Sequence, residues 1–258
     1  MKSIQKSVLF GAVFGLLHLG CAGPDTAADG TKVRASTRAL GAGIDISGTW
    51  FTKVSTPGKI KAAVSDNVTI NAWIRQYVSP TGDVTFDICK LSTTGGTMLQ
   101  TTYTQAMVNT LETTGVLAAG TVYQPGDSIA LPTFVINSGR DATGNSVDAI
   151  PPPFPAGDGD GFPGVTIPTT AMGFIHLDVY AGLVITTSMS GVTLGADGTT
   201  MSGDTSFSSH GVAFDSTNRL LVPASSTIDV TTNAATIPFT ATQLDTDGST
   251  GCDVIATL

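Results

Sequence analysis

After position 43, apolar and polar residues alternate along most of the chain, with the period of two that marks half-buried strands. Ile44, Ile46, Gly48, Trp50, Thr52 and Val54 share one face of a first strand, expected to break at Pro57 and Gly58. Val68, Ala72, Ile74 and Val78 alternate with Thr69, Asn71 and Arg75, and Pro80, Thr81 and Gly82 then turn the chain into Val84, Phe86 and Ile88. This predicts a hairpin in which Cys89 faces away from Phe86 and Ile88. Leu99, Tyr103, Met107, Val108 and Leu111 recur at helical spacing behind a threonine-rich start, so a strand is expected to run into a short helical turn. From Gly139 to Pro168 the chain is irregular and Pro-rich, and a connection of that length commonly carries function or an ion.

The second half returns to strands, predicted over Gly173–Thr187, Thr199–Ser209, Arg219–Pro223, Ser226–Thr232, Ile237–Leu244 and Asp253–Leu258. Short strands at intervals of about ten residues predict an all-β domain over 44–258. Its expected form is a single antiparallel β-barrel with one long irregular loop, and a two-sheet β-sandwich is the alternative. No internal repeat is evident, which argues against a propeller or solenoid.

The first twenty residues break the strand pattern. Lys2 and Lys6 precede the uncharged run Val8–Leu19, which is followed by Gly20 and Cys21, in the order of a secretory signal. A dozen apolar residues fall short of the roughly 20 needed to span a bilayer as a helix. The segment Leu16-Leu17-His18-Leu19-Gly20-Cys21 resembles a bacterial lipoprotein signal, departing from it at His18 where that family prefers Leu. The resemblance implies a lipid on Cys21 and attachment to the outer membrane of the cell envelope. The alternative is cleavage near Ala27 and Ala28, which would release a soluble secreted protein. Residues 21–43 then form a small, polar tether with a reach of roughly 25 Å.

Without the signal, Lys plus Arg falls from 12 to 10 against 20 acids, a net charge of −10, which argues against nucleic acid as a partner. With Cys21 set aside, Cys89 and Cys252 remain, and in an oxidising compartment they are expected to form a disulfide.

Candidate chemistry is sparse. Asp158 and Asp160 alternate with glycines in Gly157-Asp158-Gly159-Asp160-Gly161, a spacing that can converge oxygen ligands on Ca²⁺, with Asp141 or Asp148 as completing ligands. An ion-free, Gly-rich turn is the other reading, and no cofactor is required by the sequence. His176, Asp178 and Tyr180 share one face of a predicted strand, which is either a lumen face or a solvated one. No Gly-x-Ser-x-Gly, His-Glu-x-x-His or phosphate loop occurs, and Glu112 is the only glutamate, so an enzyme is unsupported and a hydrolase is kept only as a third alternative.

The segment around Asp158, Asp160, Pro163 and Gly164 is similar to a DxDGDGxPG loop of uncharacterised exported lipoproteins of Gram-negative bacteria, although Ala156 stands where that pattern often has an acid. That likeness implies a β-rich, lipocalin-like barrel and no particular activity. Gly48-Thr49-Trp50-Phe51 also resembles the Gly-x-Trp start of the lipocalins. There the Trp closes one barrel end against a late Arg, and the cup takes small apolar ligands. Trp50, His176 and Tyr180 are thus the candidate ligand-binding residues. The expected function is a non-catalytic envelope lipoprotein that binds a small apolar ligand, with a structural or interaction role as the alternative.

Overall fold

The computed structural model describes residues 43–62, 64–141, 143–147 and 157–258, all within one unit spanning Leu40–Leu258. The signal, Cys21, nearly all of the tether, Asp148 and Ala156 lie outside the described residues. The chain is all-β, with thirteen strands and two one-turn helices among the described residues. In chain order these are β1 (Ile44–Asp45), β2 (Gly48–Lys61), β3 (Ser65–Val78), β4 (Asp83–Thr94), β5 (Leu99–Thr101), α1 (Gln105–Val108), β6 (Glu112–Val116), β7 (Val122–Tyr123), β8 (Phe134–Ser138), β9 (Val165–Ala171), β10 (Ile175–Leu194), β11 (Thr200–Ser216), β12 (Thr227–Thr232), β13 (Ile237–Asp245) and α2 (Cys252–Ile255).

Eleven strands make one antiparallel sheet, nine of them in the order β5-β9-β10-β11-β12-β2-β3-β4-β6, with β8 beside β10 and β13 between β11 and β2. Its long strands are flanked by short ones placed end to end. β10 pairs with β9 over Ile175–Ala181 and with β8 over Leu183–Thr187, while β13 and β12 divide the gap between β11 and β2. β1 and β7 form a separate two-stranded ribbon. The sheet must curl strongly, because Phe86 of β4 stacks on Phe134 of β8 with ring centroids 4.6 Å apart, although those strands belong to opposite ends of it. On the same seam the Thr93 hydroxyl of β4 meets that of Thr101 in β5 at 2.9 Å.

Alternation sets which side chains turn inward. One buried cluster gathers Ile46, Trp50, Val78, Phe86, Leu194 and Met201 at one end of the curled sheet. A second, containing Ile60, Val68, Ile167, Val179, Leu183 and Ile228, occupies the other end. Outside the sheet, Trp73, Cys89 and Ile255 form a third and smaller cluster.

Three expectations are corrected. β2 does not break at Pro57 and Gly58. The Pro57 carbonyl accepts a bond from the Asn233 amide, so the proline nitrogen points to the same side, into the gap where β12 has ended and β13 has not begun. The missing N–H therefore costs no ladder bond. Arg219–Pro223 is a loop, because the amides of Leu221 and Val222 both bond back to the Asn218 carbonyl. Asp253–Leu258 is not a last strand either. Cys252–Ile255 is helical and lies on the outer face of β3 and β4, where Ile255 is fully buried.

The turn that delivers this helix hangs on Asp245. Its carboxylate accepts from the amides of Thr49, Gly248 and Thr250. Partial burial pushes its pKa up, but those bonds outweigh burial and hold it at about 2. The stabilisation is thus present above the ordinary carboxylate pKa and is lost as pH falls from about 4 towards 2. With solvent screening taken into account, Asp245→Asn should cost about 1 kcal/mol at neutral pH. Melting followed against pH should show a shallower acid limb in the variant, and superimposable acid limbs would refute the assignment.

Candidate functional site

The inward faces of the long strands enclose a row of three small apolar spaces that share lining residues. The first encloses about 50 Å³ and lies among Ala62, Val64, Ala171, Leu177, Leu221 and Val222. Ile60, Thr101, Ile167 and Ile228 line both this space and a second of about 40 Å³, which Leu91, Leu183 and Phe207 also border. Ile70 and Phe207 in turn line both the second and a third of about 30 Å³ beside Val54, Ile74 and Ile237. The spaces are narrow, threading between side chains instead of opening into one chamber. From Ala62 to Val54 they follow about 27 Å of strand path.

One end of this row faces a group of loops and the other is plugged. At the loop end the β2–β3, β4–β5, β9–β10 and β11–β12 connections gather, and they carry the exposed apolar side chains Met98, Met172, Phe174 and Leu220. Leu220 is 96% exposed and Phe174 72%, values that no folding requirement explains. Nearby, the Asp66 carboxylate accepts from the amides of Met98 and Leu99. Burial raises its pKa, but bonds from the surrounding amides outweigh burial and leave it lowered.

At the plugged end Trp50 is fully buried, and its indole N–H donates to the Ile46 carbonyl at 2.8 Å. Trp50 therefore belongs to the plug and does not line the apolar spaces. The late arginine of the lipocalin comparison is not its partner, because Arg219 is exposed and pairs with Asp215 four residues before it. Just above Trp50 the Gln76 amide nitrogen bonds the Met189 sulfur, while Gln76 Oε1 and Thr52 Oγ1 are buried without a partner in the protein.

His176 and Tyr180 lie on the outer face of β10, since Leu177 and Val179 turn inward. His176 Nδ1 meets the Thr170 hydroxyl at 2.9 Å, and with Asp178 the imidazole borders an open outer groove. His210 is also exposed and contacts Asp229 at 2.6 Å. Tyr180 is covered by Phe162, whose ring stacks on it with a centroid distance of 4.5 Å and an interplanar angle of 8°. Desolvation, followed by the charges of Asp178, Asp160 and Asp215, raises the phenol's pKa.

Asp158 and Asp160 hold that covering loop in shape. Asp158 accepts from the Thr166 amide, while Asp160 accepts from the Phe162 amide and the Thr166 hydroxyl. Burial and then the neighbouring Asp160 raise the pKa of Asp158. Asp141 does not fold back to them, because it caps its own turn through Thr143 and Asn145. Among the described residues no group of three or more His, Cys, Asp or Glu side chains converges on a metal position.

Cys89 and Cys252 form the expected disulfide. A register shift between Trp73 and Ile74 leaves Cys89 as the unpaired residue of a bulge, facing outward beside Trp73. Lys53 and Lys90 stand over the Trp73 ring at 4.4 and 4.6 Å, and Lys90 also donates to the Ala256 carbonyl of the C-terminal turn. Alternation marked the inward residues, but nothing in the sequence marked Ile60, Ile167 or Phe207 as lining open space.

Among the described residues no helix is long and apolar enough to cross a membrane. Compared with protein-family models, with curated proteins and with solved structures, the chain shows no match.

Proposed function

We propose that the protein is a non-catalytic envelope lipoprotein, attached to the outer membrane through Cys21, whose curled sheet acts as a lipocalin-like barrel and holds a small apolar ligand. The observation that carries this reading is the run of apolar spaces that is plugged beyond its inner end around Trp50 and rimmed at the other end by Met98, Met172, Phe174 and Leu220. Apolar cavities of this kind are commonly dry and gain free energy when apolar groups enter. A core meant only for stability is packed to crystal-like density and has no reason to surround its end with exposed apolar side chains.

The uncharged dye N-phenyl-1-naphthylamine tests this directly. It should bind with one-to-one stoichiometry and a blue-shifted emission, and at one hundred times its Kd it should stabilise the fold by about 2.7 kcal/mol. Ile167→Trp, at the junction of the first two spaces, should abolish the signal while leaving the disulfide formed. Emission no greater than with a disulfide-containing protein that has no cavity, or full binding by a folded Ile167→Trp variant, would defeat the proposal.

A further inference from the structure

The two ends of the curled sheet differ in charge as well as in exposed apolar surface. The connections gathered at the loop end, residues 62–64, 95–98, 172–174 and 217–226, contain no Asp or Glu, and their one charged residue is Arg219. The turns at the plugged end carry Asp127, Asp197, Asp245 and Asp247 and no Lys or Arg. Asp66, just beyond the first of the loop-end connections, is engaged by the amides of Met98 and Leu99. Lys59 and Lys61 flank the same end on the outward face of β2, since Ile60 between them is buried. Neither forms an ion pair among the described residues, and Asp229, across the ladder from Lys61, is held by His210. In a chain with 20 acids against 12 basic residues, an end without free carboxylates and with two unpaired lysines is complementary to an anionic surface.

The backbone is strained where it presents the apolar side chains. In Ala171-Met172-Gly173-Phe174 the Phe174 amide donates to the Ala171 carbonyl, and both central residues, Met172 (φ 53°) and Gly173 (φ 78°), are left-handed. Asn, Asp or Gly ordinarily takes the first of these positions, so an exposed methionine there has no folding rationale. Among the described residues the other non-glycine residue with this backbone is Ser225 (φ 67°), in the loop that carries Leu220. Exposed apolar residues elsewhere, such as Val135 and Val254, are spread over the outer faces, whereas Met98, Met172, Phe174 and Leu220 project from three neighbouring loops at one end.

We propose that the loop end is a membrane-binding surface: Met98, Met172, Phe174 and Leu220 enter the acyl boundary of an anionic bilayer, and Lys59 and Lys61 lie at the level of its headgroups. The tether permits this although it joins at the plugged end, where Ile44 packs on Gly198. Residues 22–43 can span at most about 75 Å, and the strand path of β2 is about 43 Å. The surface is independent of the ligand-binding function and stands without it.

Tryptophans placed in the full chain test the insertion. Leu220→Trp and Phe174→Trp, with Val135→Trp on β8 as the control, would be titrated with vesicles of phosphatidylcholine and phosphatidylglycerol, with and without doxyl-labelled lipid. All three positions are exposed, so the fold should be unchanged by circular dichroism. Emission from positions 220 and 174 should shift to the blue and be quenched at least twofold by the doxyl lipid, and emission from position 135 should not change. Adding Lys59→Gln/Lys61→Gln to Leu220→Trp should raise the anionic lipid needed for half-maximal quenching by about threefold or more. Unquenched emission at 220 and 174, or equal quenching at 135, would overturn the proposal. A blue shift that grows with protein concentration in the absence of vesicles would overturn it in favour of a second copy of the chain. An unchanged lipid requirement in the lysine variant would overturn the headgroup part. Binding of N-phenyl-1-naphthylamine, measured without vesicles, separates these outcomes from failure of the ligand-binding function.

Discussion

Trp50→Ala is expected to destabilise the protein by about 4 kcal/mol, enough to lower its melting temperature by roughly 10 °C. Trp50 is the largest fully buried side chain, and it fills the plugged end together with Ile46, Val78, Leu194 and Met201. Truncation removes its buried area and leaves a void that strands on all sides resist closing, because their registers are held by ladders to β3 and β13. It also strands the Ile46 carbonyl, which accepts the indole proton. Trp50→Phe separates the two effects, since it keeps most of the volume and loses the bond, at a cost of about 1 kcal/mol. Urea denaturation monitored by circular dichroism reads both variants. A Trp50→Ala protein within about 1 kcal/mol of the wild type would show that the plug is not needed for the fold.

Removing the Cys89–Cys252 bridge should cost a comparable amount, between about 2 and 5 kcal/mol. The bond joins residues 163 apart, so its loss frees a very large loop in the unfolded chain. In the folded chain it pins α2 over Trp73 and Phe51. The pinning has support beyond the covalent bond, because Arg75 donates to the carbonyls of Gly248 and Thr250 and pairs with Asp87 at 2.8 Å. Asp87 is buried enough that desolvation raises its pKa even beside that guanidinium. The double variant Cys89→Ala/Cys252→Ala should therefore stay folded at low temperature and lose its C-terminus first to limited proteolysis. Its tryptophan emission should shift to the red through Trp73 alone, with Trp50 unchanged. Unaltered melting and protease resistance would show that the bridge is dispensable.

The strand faces were legible because alternation is local. Val68, Ile70, Ile74 and Val78 turn inward in β3, as Val84, Phe86 and Ile88 do in β4, each because a pleated strand with one buried face must alternate. Cys89 was legible for the same reason, and the cysteine count supplied its partner. The apparent break at Pro57 misled because proline is costly only when its nitrogen faces a neighbour, and the neighbours of β2 are set by strands more than 150 residues later. The last segment misled in another way. Cys252–Ile255 contains the β-branched pair Val254 and Ile255, yet its position over Trp73 and its bond to Cys89 favour one helical turn.

The candidate site divides along the same line. His176 and Tyr180 were named from a shared strand face, and the period of two could not say whether that face looked inward. Burial of Leu177 and Val179 against Ile167 and Val165 answers it, and Phe162 closes over Tyr180 from a loop whose glycines conceal any preference. Trp50 was named for the closed end of a barrel, and it is fully buried in the plug beneath the apolar spaces.

Period and composition are properties of neighbours along the chain, so an all-β antiparallel sheet, its inward residues and its one disulfide could be read from them. A cavity is a property of side chains brought together from β2, β9, β10 and β12, each acceptable as ordinary core on its own. Only their mutual distance leaves Ile60, Ile167 and Ile228 around open space, and that distance comes from how tightly the sheet curls and where its short strands stop.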